Sequence, residues 1–130
     1  MNRYLLDTNI LLLYLHGSDG TIDPLFREFS EGNLELLCTV ISEFELLRYP
    51  HMTPDEESAI VALLSTMRIL SVDRHIATTA ALLSRRFRRS AFDLLIAATA
   101  LVEDIPLVTR NVRDFRGIEG LRVVAEPEAV

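Results

Sequence analysis

The sequence predicts an α/β protein whose central, mostly parallel sheet of four to five strands is covered by helices on both faces. Strand-like and helix-like runs alternate along the chain, the order that builds parallel βαβ units. Each strand-like run is nearly continuous in apolar residues, as strands buried on both faces are. Apolar residues make up 49% of 130, enough for one contiguous core, and no repeat, low-complexity stretch or linker divides the chain. One domain over residues 1–130 is the expectation.

The elements follow in order. Arg3-Tyr4-Leu5-Leu6 reads as a buried strand, and Asp7 and Thr8 stand where a helix cap belongs, before a helical stretch from Ile10 to His16 closed by Gly17. Polar residues from Ser18 to Asp23 end that unit. A short helix from Pro24 to Ser30 has proline in its first turn. Gly32-Asn33 turns into a second strand, Leu34 to Val40. Ser42 with Glu45 three residues on has capping-box spacing, and the helix it opens stops before Pro50. Thr53-Pro54-Asp55-Glu56 is a stronger start of the same kind, leading into Ile60 to Met67. Arg68 to Val72 reads as the third strand. Asp73 caps a helix to about Phe87, and Ser90 caps one from Ala91 to Glu103. Ile105 to Thr109 is a fourth strand, Asn111 to Phe115 a helical turn, and Leu121 to Val124 a fifth strand.

Composition narrows the function. The longest apolar run, Leu94 to Val102, is too short to cross a bilayer, and no basic-then-apolar leader precedes Asp7. Cys38 is the lone cysteine, which excludes an internal disulfide, points to a reducing cytoplasm and reads as a small buried hydrophobe. The formal charge of -6 argues at first against nucleic acid, although a binding face needs only a local basic cluster. All thirteen basic residues are arginine, which excludes lysine-dependent chemistry such as a Walker phosphate loop or a Schiff base. His16, His51 and His75 are scattered, without metal-ligand spacing.

In open parallel sheets, ligands sit beyond the carboxyl ends of the strands, and acids recur there. Asp7 follows the first strand; taken alone it reads as a helix cap. Glu43 and Glu45 follow the second strand, and at that spacing only one of them can face a pocket. Asp93 sits in a helix, Ala91 to Leu101, that is apolar on nearly every face, and an unpaired carboxylate in such an interior costs several kcal/mol. A partner is therefore called for; a place in the first turn, where the helix dipole favours an acid, is the plainer explanation. Thr109-Arg110-Asn111-Val112-Arg113-Asp114-Phe115 puts two arginines, an amide and a carboxylate into one loop after the fourth strand. Carboxylates gathered at one edge repel one another unless a cation neutralises them, and an all-oxygen set suits Mg²⁺ or Mn²⁺ rather than zinc.

These residues carry a family resemblance over essentially the whole chain. Leu6-Asp7-Thr8-Asn9-Ile10-Leu11 resembles the first motif of PIN-domain nucleases, and Glu45-Leu46-Leu47 the second. Asp93-Leu94-Leu95-Ile96-Ala97-Ala98-Thr99-Ala100 resembles the third, and Thr109 to Phe115 the fourth. In size the chain is similar to VapC-type toxins of prokaryotic toxin–antitoxin pairs. Leu94 stands where many relatives have a smaller residue. The resemblance implies a three-layer α/β/α sandwich and a Mg²⁺- or Mn²⁺-dependent endoribonuclease. Asp7 and Asp93 would bind the metal, Glu45 would complete the acidic cluster, and Asp114 would act through water. Asn9, Thr109 and Asn111 would orient ligands or substrate, and Glu43 would replace Glu45 if the register shifts by two. It also implies an RNA substrate, a cognate antitoxin and a homodimer, for which Tyr49 and Ile60 to Met67 are candidate contacts.

With one or two ions in the pocket, in-line attack by water would leave a 5′-phosphate and a 3′-hydroxyl. Arg110 and Arg113, and the run Arg85, Arg86, Arg88 and Arg89, could hold flanking phosphates, the run reading equally as a solvated hinge. Two other classes stand beside this one. A phosphatase with an aspartyl nucleophile wants a second aspartate two residues after Asp7 and a lysine, where this chain has Asn9 and no lysine. A catalytically inactive module that only binds RNA or protein would not need all four acids.

Overall fold

Helices lie on both sides of five parallel strands. A computed structural model of the chain describes residues 1–17 and 20–125; Ser18 and Asp19, where the sequence puts the start of a polar turn, lie outside them. Strands β1 (Asn2–Leu6), β2 (Leu34–Thr39), β3 (Arg68–Leu70), β4 (Leu107–Val108) and β5 (Val123–Val124) are arranged β3-β2-β1-β4-β5, each neighbouring pair parallel. Between them run α1 (Thr8–His16), α2 (Asp23–Ser30), α3 (Val40–Leu47), α4 (Pro54–Ser65), α5 (Arg74–Ser84), α6 (Ala91–Glu103) and α7 (Val112–Phe115). The expected mostly parallel sheet is wholly parallel among the described residues.

Successive strand residues point to opposite faces, and each face has its own core. Leu6, Leu36, Cys38 and Val108 pack with Ile10, Leu25, Leu46 and Ile60 from α1 to α4. Leu5, Leu37 and Leu107 pack on the other face with Ile96, Ala97 and Phe115 from α6 and α7. Register matches the division: Leu5 lies beside Leu37 and Leu107, and Leu6 beside Val108. This is the three-layer sandwich the sequence predicts. At the fourth strand the ladder is shorter than Ile105 to Thr109, since Pro106 has no N–H to give; its carbonyl accepts from the Leu5 amide at 2.9 Å.

One helix start differs from expectation in a way that matters for the site. The cap of α3 is Thr39, not Ser42: the Thr39 hydroxyl accepts from the Ser42 amide at 3.2 Å, and the helix begins at Val40. The last residue of β2 already carries a capping hydroxyl, so Ser42 is drawn inside the first turn and fully buried. Glu45 therefore lies a turn into the helix and does not fold back to cap it. The capping box at Thr53 and Glu56 does form, and Asp73 and Ser90 cap α5 and α6 as expected.

The chain builds β1, β2 and β3 outward in one direction, then returns to place β4 on the other side of β1. The switch point between β1 and β4 is where such a sheet opens a crevice at its carboxyl edge. Asp7 and Thr109 are the first residues beyond those two strands.

Candidate active site

Asp7 is held from three directions. Its amide donates to the Val108 carbonyl at 3.2 Å, fastening the end of β1 to β4. Its Oδ1 accepts from the Ile10 amide at 3.0 Å, capping α1, and the Thr109 hydroxyl donates to its carboxylate. The side chain is only 7% exposed. Burial raises the Asp7 pKa above its ordinary value, and the charges of Asp93 and Glu45 raise it further against the lowering effect of those two hydrogen bonds. Capping and pocket placement are thus both true of this residue.

A cleft of about 480 Å³ opens here, lined by Asp7, Thr8, Asn9, Leu12, Glu45, Arg48, Tyr49, Pro50, Asp93, Asn111 and Phe115. Three of the four sequence-predicted acids share its wall. Glu45, rather than Glu43, is the acid of α3 that reaches it, and its Oε1 accepts from the Thr8 hydroxyl at 2.7 Å. Thr8 also hydrogen-bonds the Ser42 hydroxyl at 2.9 Å, so a partly buried polar chain links α1 to α3. Glu43 lies instead near Cys38, whose thiol is pushed up to about 12 by burial and by that carboxylate. Cys38 is fully buried in the core, as expected of a small hydrophobe.

Asp93 departs from expectation. Leu94 and Ile96 to Ala100 are buried, but Asp93 itself keeps 39% of its side chain exposed. It occupies the first turn of α6, at the open end of the sheet, so the cost of burying it in an apolar interior does not arise. Asp114 does not line the cleft. Its Oδ2 accepts from Arg89 Nη2 at 2.8 Å, and the same nitrogen lies 3.6 Å from Asp93 Oδ2. Arg89 is half-buried against these two acids, whereas Arg85, Arg86 and Arg88 are exposed.

Thr109 is fully buried and accepts from the Asn111 amide at 3.0 Å, which sets the turn that carries Asn111 to the cleft wall. Arg110 hydrogen-bonds the Thr21 hydroxyl, and neither it nor Arg113 lines the cleft. His16 and His51 border a separate, more apolar groove of about 350 Å³ that shares Leu12, Tyr49 and Pro50 with the acidic cleft. Of the predicted dimer contacts, Tyr49 and Val61 are exposed, but Ile60, Leu64 and Met67 belong to the core.

Sequence reasoning alone misses Thr8 as a link to Glu45, and Arg48 and Tyr49 as wall residues. The signal is spacing: Arg48 follows Glu45 by three residues at the end of α3, and Tyr49 comes directly after it, outside the helix. Arg48 lies over the Phe44 ring, 5.3 Å from its centroid, and Phe44 meets Phe92 edge-on at 5.6 Å.

Among the described residues, no three Asp, Glu, His or Cys side chains close into a ready-made metal cage. A small hard cation does not require one, because Mg²⁺ keeps several waters and takes only one or two protein carboxylates. The donors on the cleft wall are carboxylate and amide oxygens, and the mutual repulsion felt by Asp7 is what a divalent ion would relieve. The residues fit such an ion.

Fold and acidic switch point together define a class. The PIN domain profile matches residues 4–121, and the chain belongs to the PIN-domain family. It is 34% identical over 123 residues to Ribonuclease VapC10 of Mycobacterium tuberculosis, covering 91% of this chain and 90% of that one. Ribonuclease VapC19 of the same species is 34% identical over 116 residues, covering 85% and 90%. A toxin–antitoxin complex from Klebsiella pneumoniae superposes with a TM-score of 0.76 at 27% identity, over 96% of this chain and 98% of the other. VapBC2 from Rickettsia felis, bound to a DNA fragment from its promoter, gives 0.77 at 20% identity over 94% and 97%, and speaks for the fold alone.

Proposed function

We propose that this chain, as one PIN domain, is a Mg²⁺- or Mn²⁺-dependent endoribonuclease and the toxin of a VapBC-type pair. The observation that carries the proposal is the convergence of Asp7, Glu45 and Asp93 on one cleft at the β1–β4 switch point, in a chain 34% identical to proteins named ribonuclease. Asp7 and Asp93 would hold the cation. A cation held there would supply Lewis-acid polarisation of the scissile phosphodiester and a more acidic water for in-line attack. Thr109 and the Ile10 amide fix the orientation of Asp7, and Thr8 holds Glu45 at the wall, so that neither carboxylate has to reorganise on binding. Asn9 and Asn111 offer amide groups to the RNA along the same wall. Arg48 lines the cleft as a phosphate contact, and Arg110 and Arg113 extend the path outside it. Asp114 acts through water from behind Arg89. A cognate antitoxin that covers the acidic cleft with a basic side chain, a homodimeric assembly and a cytoplasmic setting complete the reading.

The test is cleavage of single-stranded RNA by purified protein with Mn²⁺ or with chelator. The parental chain should cut only with Mn²⁺, and Asp93→Asn should not cut. Cleavage in chelator, or by Asp93→Asn at the parental rate, would overturn the proposal. A module that only binds RNA would bind without cutting and would show no rise in melting temperature with Mn²⁺.

A further inference from the structure

The acids of this site already share a cation, and it belongs to the chain. Arg89 Nη2 lies 2.8 Å from Asp114 Oδ2 and 3.6 Å from Asp93 Oδ2, so one nitrogen spans a carboxylate on the cleft wall and another just outside it. The Arg89 Nε is buried without an acceptor among the described residues, and the ion pairs of this guanidinium there are with these two carboxylates. Arg89 stands directly before Ser90, the cap of α6, so its backbone is tied to the element that carries Asp93. Asp93 makes no closer ion pair among the described residues, while Asp114 also sits at the start of the short helix after β4.

We propose that Arg89 is a positioning residue that competes with the divalent cation for Asp93 and, remaining on Asp114 when the cation binds, sets the cation affinity of the cleft. This rests on the metal reading above. The distances decide the order of events: the 2.8 Å pair with Asp114 is hydrogen-bonded and the 3.6 Å contact with Asp93 is not, so Asp93 is the partner released. A guanidinium cannot give up its proton, so this competition does not vanish with pH. Once Asp93 turns to the ion, Arg89 still neutralises Asp114, which keeps a fourth negative charge from loading the site.

Isothermal titration of Mn²⁺ into the full chain tests this, with parental protein, Arg89→Gln and Arg89→Lys compared and each checked for folding by its metal-free melt. Arg89→Gln should bind Mn²⁺ roughly two- to fivefold more tightly, the size expected when one partly exposed competing charge is removed. Arg89→Lys should stay within about twofold of the parental affinity because the charge remains. A merely structural role would weaken binding in both variants, so unchanged or weaker binding by Arg89→Gln, or equal tightening by Arg89→Lys, overturns the inference. Should Arg89→Gln fail to fold, titrating Mg²⁺ into the parental chain and following the Arg89 Nε–Hε resonance replaces it. A resonance that does not move as the site fills overturns the inference in the same way. Mn²⁺ binding by the parental chain with no difference among variants removes only Arg89; no binding by the parental chain removes the metal reading itself, and this inference with it.

Discussion

Asp7 and Asp93 sit at the N-termini of two helices on opposite sides of one cleft, and their surroundings could hardly differ more. Asp7 is almost fully buried between β1 and β4, neutralised by no cation in direct contact among the described residues, and held by two hydrogen bonds. Asp93 is over a third exposed, hydrated and beside an arginine. One carboxylate sits where burial disfavours its charge; the other is open to solvent and beside an arginine before any ligand arrives. The difference teaches that the fold stores electrostatic stress on one wall of the site only, in the acid whose position the sheet fixes most rigidly.

Substituting each acid separately tests that contrast. Asp7→Asn and Asp93→Asn should each reduce Mn²⁺-dependent RNA cleavage by about 10³-fold or more, since several kcal/mol of transition-state stabilisation depend on the ion and each 1.36 kcal/mol is tenfold. Their metal-free melts should diverge. The folded-state pKa of Asp7 is raised, so between the unfolded value of 3.8 and that higher folded value the native state binds more protons than the unfolded one. Stability is therefore lost as pH rises through that window, and the loss persists at neutral pH. Asp7→Asn keeps a good capping side chain and removes the charge, so it should melt higher than the parental chain at pH 7, with the gap closing near pH 4. Asp93→Asn should show no such gain. A parental melt that does not change between pH 4 and 7 beyond what Asp7→Asn shows would erase the contrast.

The second-largest effect separates the two glutamates. Glu45→Gln leaves the Thr8 hydroxyl facing a neutral amide and should reduce cleavage about 10- to 100-fold, the usual effect of disturbing groups that orient metal-site acids. Glu43→Gln, near Cys38 and off the cleft, should change cleavage by no more than about twofold. Equal losses in kcat/KM would mean that the wall is not what distinguishes them. Next in size, Thr109→Val deletes the hydroxyl that both donates to Asp7 and accepts from Asn111. It should destabilise the fold by about 1–3 kcal/mol in a denaturant melt, because buried Asp7 loses a donor and the Asn111 amide its acceptor. In the Asp7→Asn background Thr109→Val should cost less stability than in the parental chain, because the charge that made the bond valuable is gone.

How much of this was legible without coordinates depended on whether a residue's role is set by the chain nearby or by distant contacts. Leu5 and Leu6, continuous apolar pairs, announced a strand buried on both faces, and Thr53 with Glu56 and Ser90 before the apolar helix announced their caps. Asp7 could be placed at the sheet edge because it directly follows β1; Asp93 follows no strand and starts the helix that runs back to β4. Ser42 misled because spacing alone cannot tell a cap from a first-turn residue when Thr39, three residues earlier, carries the hydroxyl that wins. The burial of Asp93 was overestimated because an apolar helix is not buried along its whole length; its first turn is open to the cleft. Arg89 bridging Asp93 and Asp114 joins positions 25 residues apart, and no local pattern encodes that contact.

Ser90 offers the smallest and most local way to sharpen the contrast. Its hydroxyl accepts from the Asp93 amide at 3.1 Å and caps α6, so it fixes the first turn on which Asp93 stands without touching the cleft. Ser90→Ala should cost about 1 kcal/mol of stability, as loss of an N-cap does. Because Asp93 is hydrated and Asp7 is not, the loosened turn can reseat Asp93 with little penalty, and Mn²⁺ affinity should weaken by no more than a few-fold. A disturbance of the same kind at Thr109 acts on an acid that has nowhere else to go. If Ser90→Ala weakened Mn²⁺ binding as severely as Thr109→Val, both walls of the cleft would be equally rigid, and the stress assigned to Asp7 would have to be shared by Asp93.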